Sequence, residues 1–420
     1  MTLNKGTLVR NLSSSPTQAA IVAGTQELMN NPPEVELPFG NTIVRTLDGE
    51  LTYTRAGETG NVNLSGVSET LLEDKIPIGK SGMPAFGAFI NSIIQSENLG
   101  DAIWTKPGTA TAIQDGTLSS DGINQAWKVT NSLAEPIQNV TSGLTLTGQP
   151  VLFYQEVKAG TSNSARVRWI ETTGGTTVDR QANVDLTTGA IGGVATHDFI
   201  HVEKLNDGWF GVWWANATNN TGNTAVRLDV GNAEATGESS IYIYKCMVVD
   251  GSALALPYKK TTTAPSTRGY DNAYIQMMNN MPAAGLPFSI AVDSEDIPES
   301  LTTNAFLWSG DTLFYARRQV ASGAIQFATG SGTATTASNF DTSDGVRFVF
   351  VYDGTNAIIY ANTEQVAITS SSDPVYDLSN NLSIGSYYTF VQSANTYLKG
   401  FKVYPYALSS DAVLALGSAL

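Results

Sequence analysis

Cysteine occurs once in the 420 residues, as Cys246. A single thiol cannot close an intrachain bridge, so no disulfide framework holds this fold, and a cytosolic folding compartment is expected. Histidine is scarce too, with only His197 and His201, which leaves little material for a Ser-His-Asp triad. Charged residues make up 15% of the chain, where about 25% is ordinary. The charge present is acidic, 38 carboxylates against 23 Lys and Arg, for a net −15. Binding nucleic acid through phosphates needs clustered cations that displace counterions, so no nucleic-acid partner is expected. Anionic membranes are disfavoured for the same reason. No run approaches the roughly 18 apolar residues of a membrane span, so no membrane insertion is expected. Residues 1–10 lack the continuous apolar stretch of a signal peptide.

Thr, Ser, Asn and Gly take the place of the missing charge, and 42% of the chain is apolar. That composition belongs to a β-rich protein with uncharged polar faces and many turns. At about 150 residues per domain, the length corresponds to two to four domains. Near the start, Ser15, Pro16 and Gln18 read as cap, first helical position and capping box of a helix running to Leu28. It should stop before Asn30-Asn31-Pro32-Pro33, and Pro32 to Pro38 suggests an extended strap. Between Gly82 and Asn98 the signals conflict. Phe86, Phe89, Ile90, Ile93 and Ile94 have helical spacing, whereas Gly82, Pro84 and Gly87 resist a helix.

Beyond Lys106 the chain reads as strands and turns. Residues 151–158, 165–171, 199–203, 208–214 and 240–249 are rich in β-branched and aromatic residues and bounded by turn formers. An apolar-poor stretch at 259–268 marks a domain boundary, and a second β region begins at 288–292. Residues 346–352 and 357–361 flank the turn Asp353-Gly354-Thr355-Asn356 as a hairpin. A strand at 397–404 and a short helix from Ser409 through Leu416 close the chain. The fold class is mainly β: two antiparallel β-sandwich domains, of jelly-roll or concanavalin-A-like type, preceded by an N-terminal arm with a short helix. The expected divisions are an anchoring arm at 1–50, a connector at 51–108, and sandwiches at 109–265 and 266–420.

Few motifs carry chemistry. His197 and His201 would share a helix face, but the residues between them read as strand, where four residues span roughly 13 Å and one metal cannot take both. Gly79-Lys80-Ser81 ends like a phosphate-binding loop, yet Asp74 stands where that motif needs glycine. The densest acidic cluster, Asp293, Glu295, Asp296 and Glu299, offers several oxygens to a calcium ion, but a solvated acidic loop is the preferred reading. No catalytic residue, metal or cofactor is assigned. Aromatic residues carry the more useful signal. Trp209 and Trp213 alternate onto one strand face and Trp214 onto the other, and Tyr387-Tyr388 follow Gly385 in a loop. A ring left outside the core can stack on a sugar, so Trp209, Trp213, Trp214, Tyr387 and Tyr388 are the candidate carbohydrate contacts.

Residues 51–56, 95–98 and 102–106 together resemble a module of tailed-bacteriophage virion proteins. Residues 205–210 and 240–244 are similar to strands of that family's carbohydrate-binding-like jelly roll. Residues 348–354, 382–385 and 398–408 resemble the recurrent strands of a laminin-G or concanavalin-A-like lectin sandwich. The resemblance covers roughly 50–420, with departures at Gly57, at 81–87 and at Asn362-Thr363. It implies a non-enzymatic virion component: a tail fibre, head fibre or decoration protein made in the host cytoplasm. It also implies a homo-oligomer, most simply a trimer, joined to other virion proteins through residues 1–50 and displaying loops to host-surface glycans. Two rival readings are a purely architectural cement protein and a tailspike that cleaves polysaccharide with a facing pair of carboxylates.

Overall fold

The segments rich in β-branched and aromatic residues are strands in the computed structural model, and every named pairing is antiparallel. The structure describes residues 16–31, 33, 35–38, 52–55, 59–62, 68–71, 83–86, 88–131, 136–142, 150–173, 176–192, 199–217, 225–233, 239–251, 255–269, 271–278, 280–295, 304–330, 332–342, 345–371, 374, 376–387, 392–394 and 396–417. They form two β-sandwich units, one from Ala56–Lys80 with Ala88–Gly269, the other from Met1–Arg55, Ser81–Gly87 and Tyr270–Leu420.

In the first unit, one six-stranded sheet runs in the order Ile191–Gly192, Thr176–Asp185, Ser164–Thr173, Ala225–Asn232, Ile137–Ser142, Trp104–Thr105. The other runs Phe199–Lys204, Trp209–Ala217, Pro150–Ala159, Ser240–Asp250, Trp127–Thr130, Thr111–Ile113. Sequence neighbours are often not sheet neighbours, as in a jelly roll. Alternate residues of both sheets interdigitate. Phe153 lies 5.5 Å from Trp214 in its own sheet and 5.5 Å from Trp169 in the opposing one, within a shared core that includes Val151, Val167, Leu228 and Val248. The two central strands slip register: Gln155 faces Cys246, but Glu156 faces Tyr244. Lys245 is the extra residue of this bulge, with φ at 49°.

The second unit stacks two seven-stranded sheets. One contains Phe288–Ser294, Val346–Tyr352, Asn356–Ala361, Glu364–Ser370 and Thr396–Tyr404, with Val35–Pro38 and Met83–Ala85 paired to the last of these. The other is ordered Thr52–Thr54, Asn272–Gln276, Asn381–Ile384, Ala305–Ser309, Phe314–Arg318, Ile325–Thr329, Thr333–Thr335. Trp308 joins the layers, with Phe314 at 4.9 Å in its own sheet and Phe350 at 5.9 Å in the facing one.

The fold class is as expected, but its division along the chain is not. Residues 1–50 do not stand apart as an arm among the described residues. Helix α1 (Pro16–Asn30) packs on helix α2 (Ser410–Gly417). The Glu27 carboxylate accepts from the Ser409 amide at 3.2 Å and from its hydroxyl, Tyr406 donates to the Asn31 carbonyl, and Leu28 joins the cluster of Tyr404, Val413 and Leu416. Nor is 51–108 a separate connector. Thr52–Thr54 and Met83–Ala85 complete the second sandwich, while Phe89–Asn91 pairs with Ser266–Arg268 and Trp104 enters the first core. Short segments that cannot bury a core alone gain a paired ladder by lying along an existing sheet edge. The ambiguous stretch 82–98 therefore contains two short strands rather than a helix.

Gly24 sets the approach of the two helices, since a Cβ there would lie 1.9 Å from the Asp411 carbonyl oxygen. Gly→Ala in a free helix stabilises by about 1 kcal/mol. Here the sign should reverse: Gly24→Ala is expected to destabilise by about 1–3 kcal/mol, as overpacking does. A thermal melt in which Gly24→Ala matches or exceeds the parent would refute the packing.

Candidate functional site

The three tryptophans are not sugar platforms. Trp214 is fully buried in the first core. Trp209 is fully buried among Ala126, Leu205 and Tyr244. Trp213 is 5% exposed, donates to the Leu256 carbonyl at 2.8 Å and lies 4.5 Å from the Tyr154 ring. Their strand is covered on both faces, by the opposing sheet on one side and by chain near 126 and 256–258 on the other. Alternation separated the rings correctly, but it could not reveal the second cover. His201 lies against Trp213 at 5.5 Å, and His197 falls outside the described residues. Asp293 pairs with Arg347 and Glu295 with Lys399 at 3.3 Å, while Asp296 and Glu299 fall outside the described residues. Among the described residues no group of three His, Cys, Asp or Glu is placed to hold a metal.

Tyr388 also lies outside the described residues. Tyr387 leads to a surface that combines half-buried rings with polar groups. Gly385, at φ 72°, turns the chain out of strand Asn381–Ile384; a Cβ there would meet the Ala85 Cβ at 2.4 Å. Beyond that turn Tyr387 is half-buried, with its ring 4.6 Å from Phe306.

Phe306 and Tyr387 belong to the outward face of the second sheet of that sandwich. Phe314, Ala316 and Arg318 point inward and are buried, so Tyr315 and Arg317 point out, and both are half-buried. Strand pairing extends this into two rows. One reads Tyr274, Ser383, Ser309, Tyr315, Ala328, Thr333. The other reads Phe306, Arg317, Gln326, Thr335. In the first row two buried serines, Ser383 and Ser309, lie between the half-buried Tyr274 and Tyr315, which stand roughly 14 Å apart at three strand spacings. The Ser383 hydroxyl is buried with no hydrogen-bond partner among the described residues, and the Tyr315 hydroxyl also has none. In the second row Arg317 stacks on Tyr315, its guanidinium carbon 4.6 Å from the ring centroid and 5.7 Å from that of Phe306. Its Nε donates to the Gln326 side-chain oxygen at 2.9 Å. Apolar ring surface beside fixed hydroxyl, amide and guanidinium groups is what a sugar's mixed faces require. Sequence reasoning reached only Tyr387. The strand Phe314–Arg318 alternates in burial, but with Arg318 facing inward its residue types do not announce the outward face.

Two polar assemblies of the first sandwich also escaped sequence reasoning. On its outer face Arg168 bonds Asp179 and reaches Asp229 at 3.1 Å, while Arg227 takes Asp229 at 2.7 and 2.9 Å. The Arg168 guanidinium holds the Asp179 carboxyl below the usual carboxylate range. Beneath the second cover, Glu156 accepts from the Tyr154 hydroxyl at 2.7 Å and from Ser120, and its Oε1 lies 3.4 Å from Lys245 Nζ. Burial, then the Glu156 charge, push the Tyr154 phenol and the Cys246 thiol well up. Asp229 is enclosed by two guanidinium groups, and Glu156 by an ammonium and two hydroxyls, which makes these assemblies structural braces.

A family model described as the Concanavalin A-like lectin/glucanases superfamily matches residues 285–414, within the second sandwich. Among solved structures, the CBM22-1 xylan-binding domain of Paenibacillus barcinonensis Xyn10C is similar at 12% identity, covering 40% of this chain and 94% of that one, with a TM-score of 0.27. The CBM22-1-CBM22-2 tandem domain of the same protein is similar at 10% identity, covering 76% of this chain and 96% of that one, with a TM-score of 0.29. Curated proteins yield no match. At these scores the solved structures carry no argument about ligands, and the family model speaks for the lectin-like build of residues 285–414.

Proposed function

We propose that the chain is a non-enzymatic carbohydrate-binding protein of a bacteriophage particle, and that it holds glycan on the outward face bearing Tyr315 and Tyr387. The observation that carries this reading is the pairing of the half-buried rings of Tyr315 and Tyr387 with the Arg317 guanidinium fixed beside them. The lectin-like match at 285–414 agrees with it, and the motifs at 51–106 support the particle. A trimer that presents three such faces would turn weak single-site affinity into avidity, and residues 1–50 are the proposed attachment to other virion proteins.

The test is binding of the full chain to an array of bacterial, plant and animal oligosaccharides, followed by calorimetry on the best one. Tyr315→Ala and Tyr387→Ala are each expected to weaken binding about tenfold, since ring contacts contribute roughly 1–1.5 kcal/mol. Their melting temperatures should stay close to the parent's. A blank array, or full affinity in both variants, would defeat the reading and leave an architectural role.

A further inference from the structure

Among the described residues Arg55, Arg168, Arg227 and Arg347 each have a carboxylate within 4.0 Å. Arg317 has none among the described residues; its contacts are Gln326 and the rings of Tyr315 and Phe306. That environment fixes the plane of the guanidinium. The Gln326 bond occupies Nε, stacking occupies the flat face, and the paired Nη groups keep their donors. A guanidinium held half-buried with an open fork is preorganised for a planar anion, and a carboxylate matches the fork's two parallel donors. A chain of net charge −15 repels acidic ligands at long range. An open local cation is therefore the feature needed to admit one.

We infer that the proposed glycan is acidic: Arg317 takes the carboxylate of a uronic or sialic acid residue in a bidentate pair while the sugar ring packs against Tyr315 and Tyr387. This rests on the glycan-binding reading above and adds the ligand's class to it. Arg317 is then the residue that sets specificity, and Gln326 positions it.

The test uses the full chain and two carboxylated probes, a galacturonic acid oligosaccharide and a sialylated lactose, each with its carboxyl-reduced counterpart. At least one acid form should bind about tenfold more tightly than its reduced form, and the preference should shrink in high salt. R317Q should narrow the difference to within about twofold. R317K should keep part of it, because an ammonium supplies charge without the fork. A melt of each variant close to the parent's confirms that the fold is kept. Equal affinity for acid and reduced forms, or an undiminished preference in R317Q, overturns the inference and leaves neutral-glycan binding standing. Failure to bind any of the four probes, by a chain that binds other sugars on the array, overturns it as well. Failure on probes and array together removes both readings.

Discussion

Glu156→Leu is expected to destabilise the first sandwich by about 3–5 kcal/mol, because it removes the carboxylate facing a buried ammonium. Lys245 has no exposed surface and Glu156 is 1% exposed. The carboxylate faces that ammonium at 3.4 Å and also accepts from Tyr154 and Ser120. Lys245 cannot swing out to water easily. It is the extra residue of the bulge, its backbone lies in the left-handed region, and the rings of Tyr244 and Tyr258 lie 5.2 and 5.6 Å from its Nζ. Removing both charges should cost much less than removing one, since desolvating the pair offsets most of its attraction. Urea titration of Glu156→Leu, Lys245→Met and the double variant forms the cycle that measures this. A Glu156→Leu cost below about 1 kcal/mol, or additive single effects, would show that the pair is not a brace.

The second large effect is expected at Trp308. Trp308→Ala should cost about 3–5 kcal/mol, the usual range for a large buried ring. Trp308 is fully buried and packs on Phe314 and Phe327, and on Phe350 across the sandwich. Its strand also carries Phe306 and Ser309 on the outward face, so the same variant should lose glycan binding as the sheet loosens. This separates two kinds of loss. Tyr315→Ala should forfeit binding with its melting curve kept, while Trp308→Ala should forfeit both. Trp308→Phe, which keeps a ring in the layer, should recover most of the stability. If Trp308→Ala melts with the parent, the ring does not hold the two layers together.

Local chemistry made much of the fold legible. The Asp353 turn is specified by its own residues, for the carboxylate accepts from the amides of Thr355 and Asn356 at 2.8 and 2.7 Å, so the hairpin around it could be read directly. Pro16 opens α1 as the cap signals predicted, while the helix includes Asn30, before which it was expected to stop. Contacts distant in sequence were not legible. Val35–Pro38 has a strand's composition, but nothing in it names Thr396–Tyr404 as its partner. Residues 259–268 look polar enough for a linker, yet Lys259, Thr261 and Arg268 are buried, and the Asn91 side chain bonds the Lys259 carbonyl at 2.6 Å. The same blindness misplaced the sugar contacts. A tryptophan's sequence neighbours do not say whether a remote segment covers it, and Leu256 does cover Trp213. Tyr315 and Arg317 were hidden for the opposite reason: each is ordinary alone, and only cross-strand register gathers them with Phe306 and Gln326.

The return of the N-terminal segments to the last strand has a consequence for synthesis. Asn31 and Tyr406, bonded in the finished molecule, stand 375 positions apart. A ribosome releases α1 and Val35–Pro38 long before Thr396–Tyr404 exists, so these pieces must wait while the first sandwich is made. A closure of this span is slow, and it leaves an unpaired edge open to another nascent copy in the meantime. A translation product cut short before residue 396 would lack the strand on which Val35–Pro38 and Met83–Ala85 both pair, and a fragment begun after residue 55 would lack Val35–Pro38 beside it. The second sandwich therefore needs segments about 360 residues apart, Val35–Pro38 and Thr396–Tyr404, on the same chain before its sheet can close.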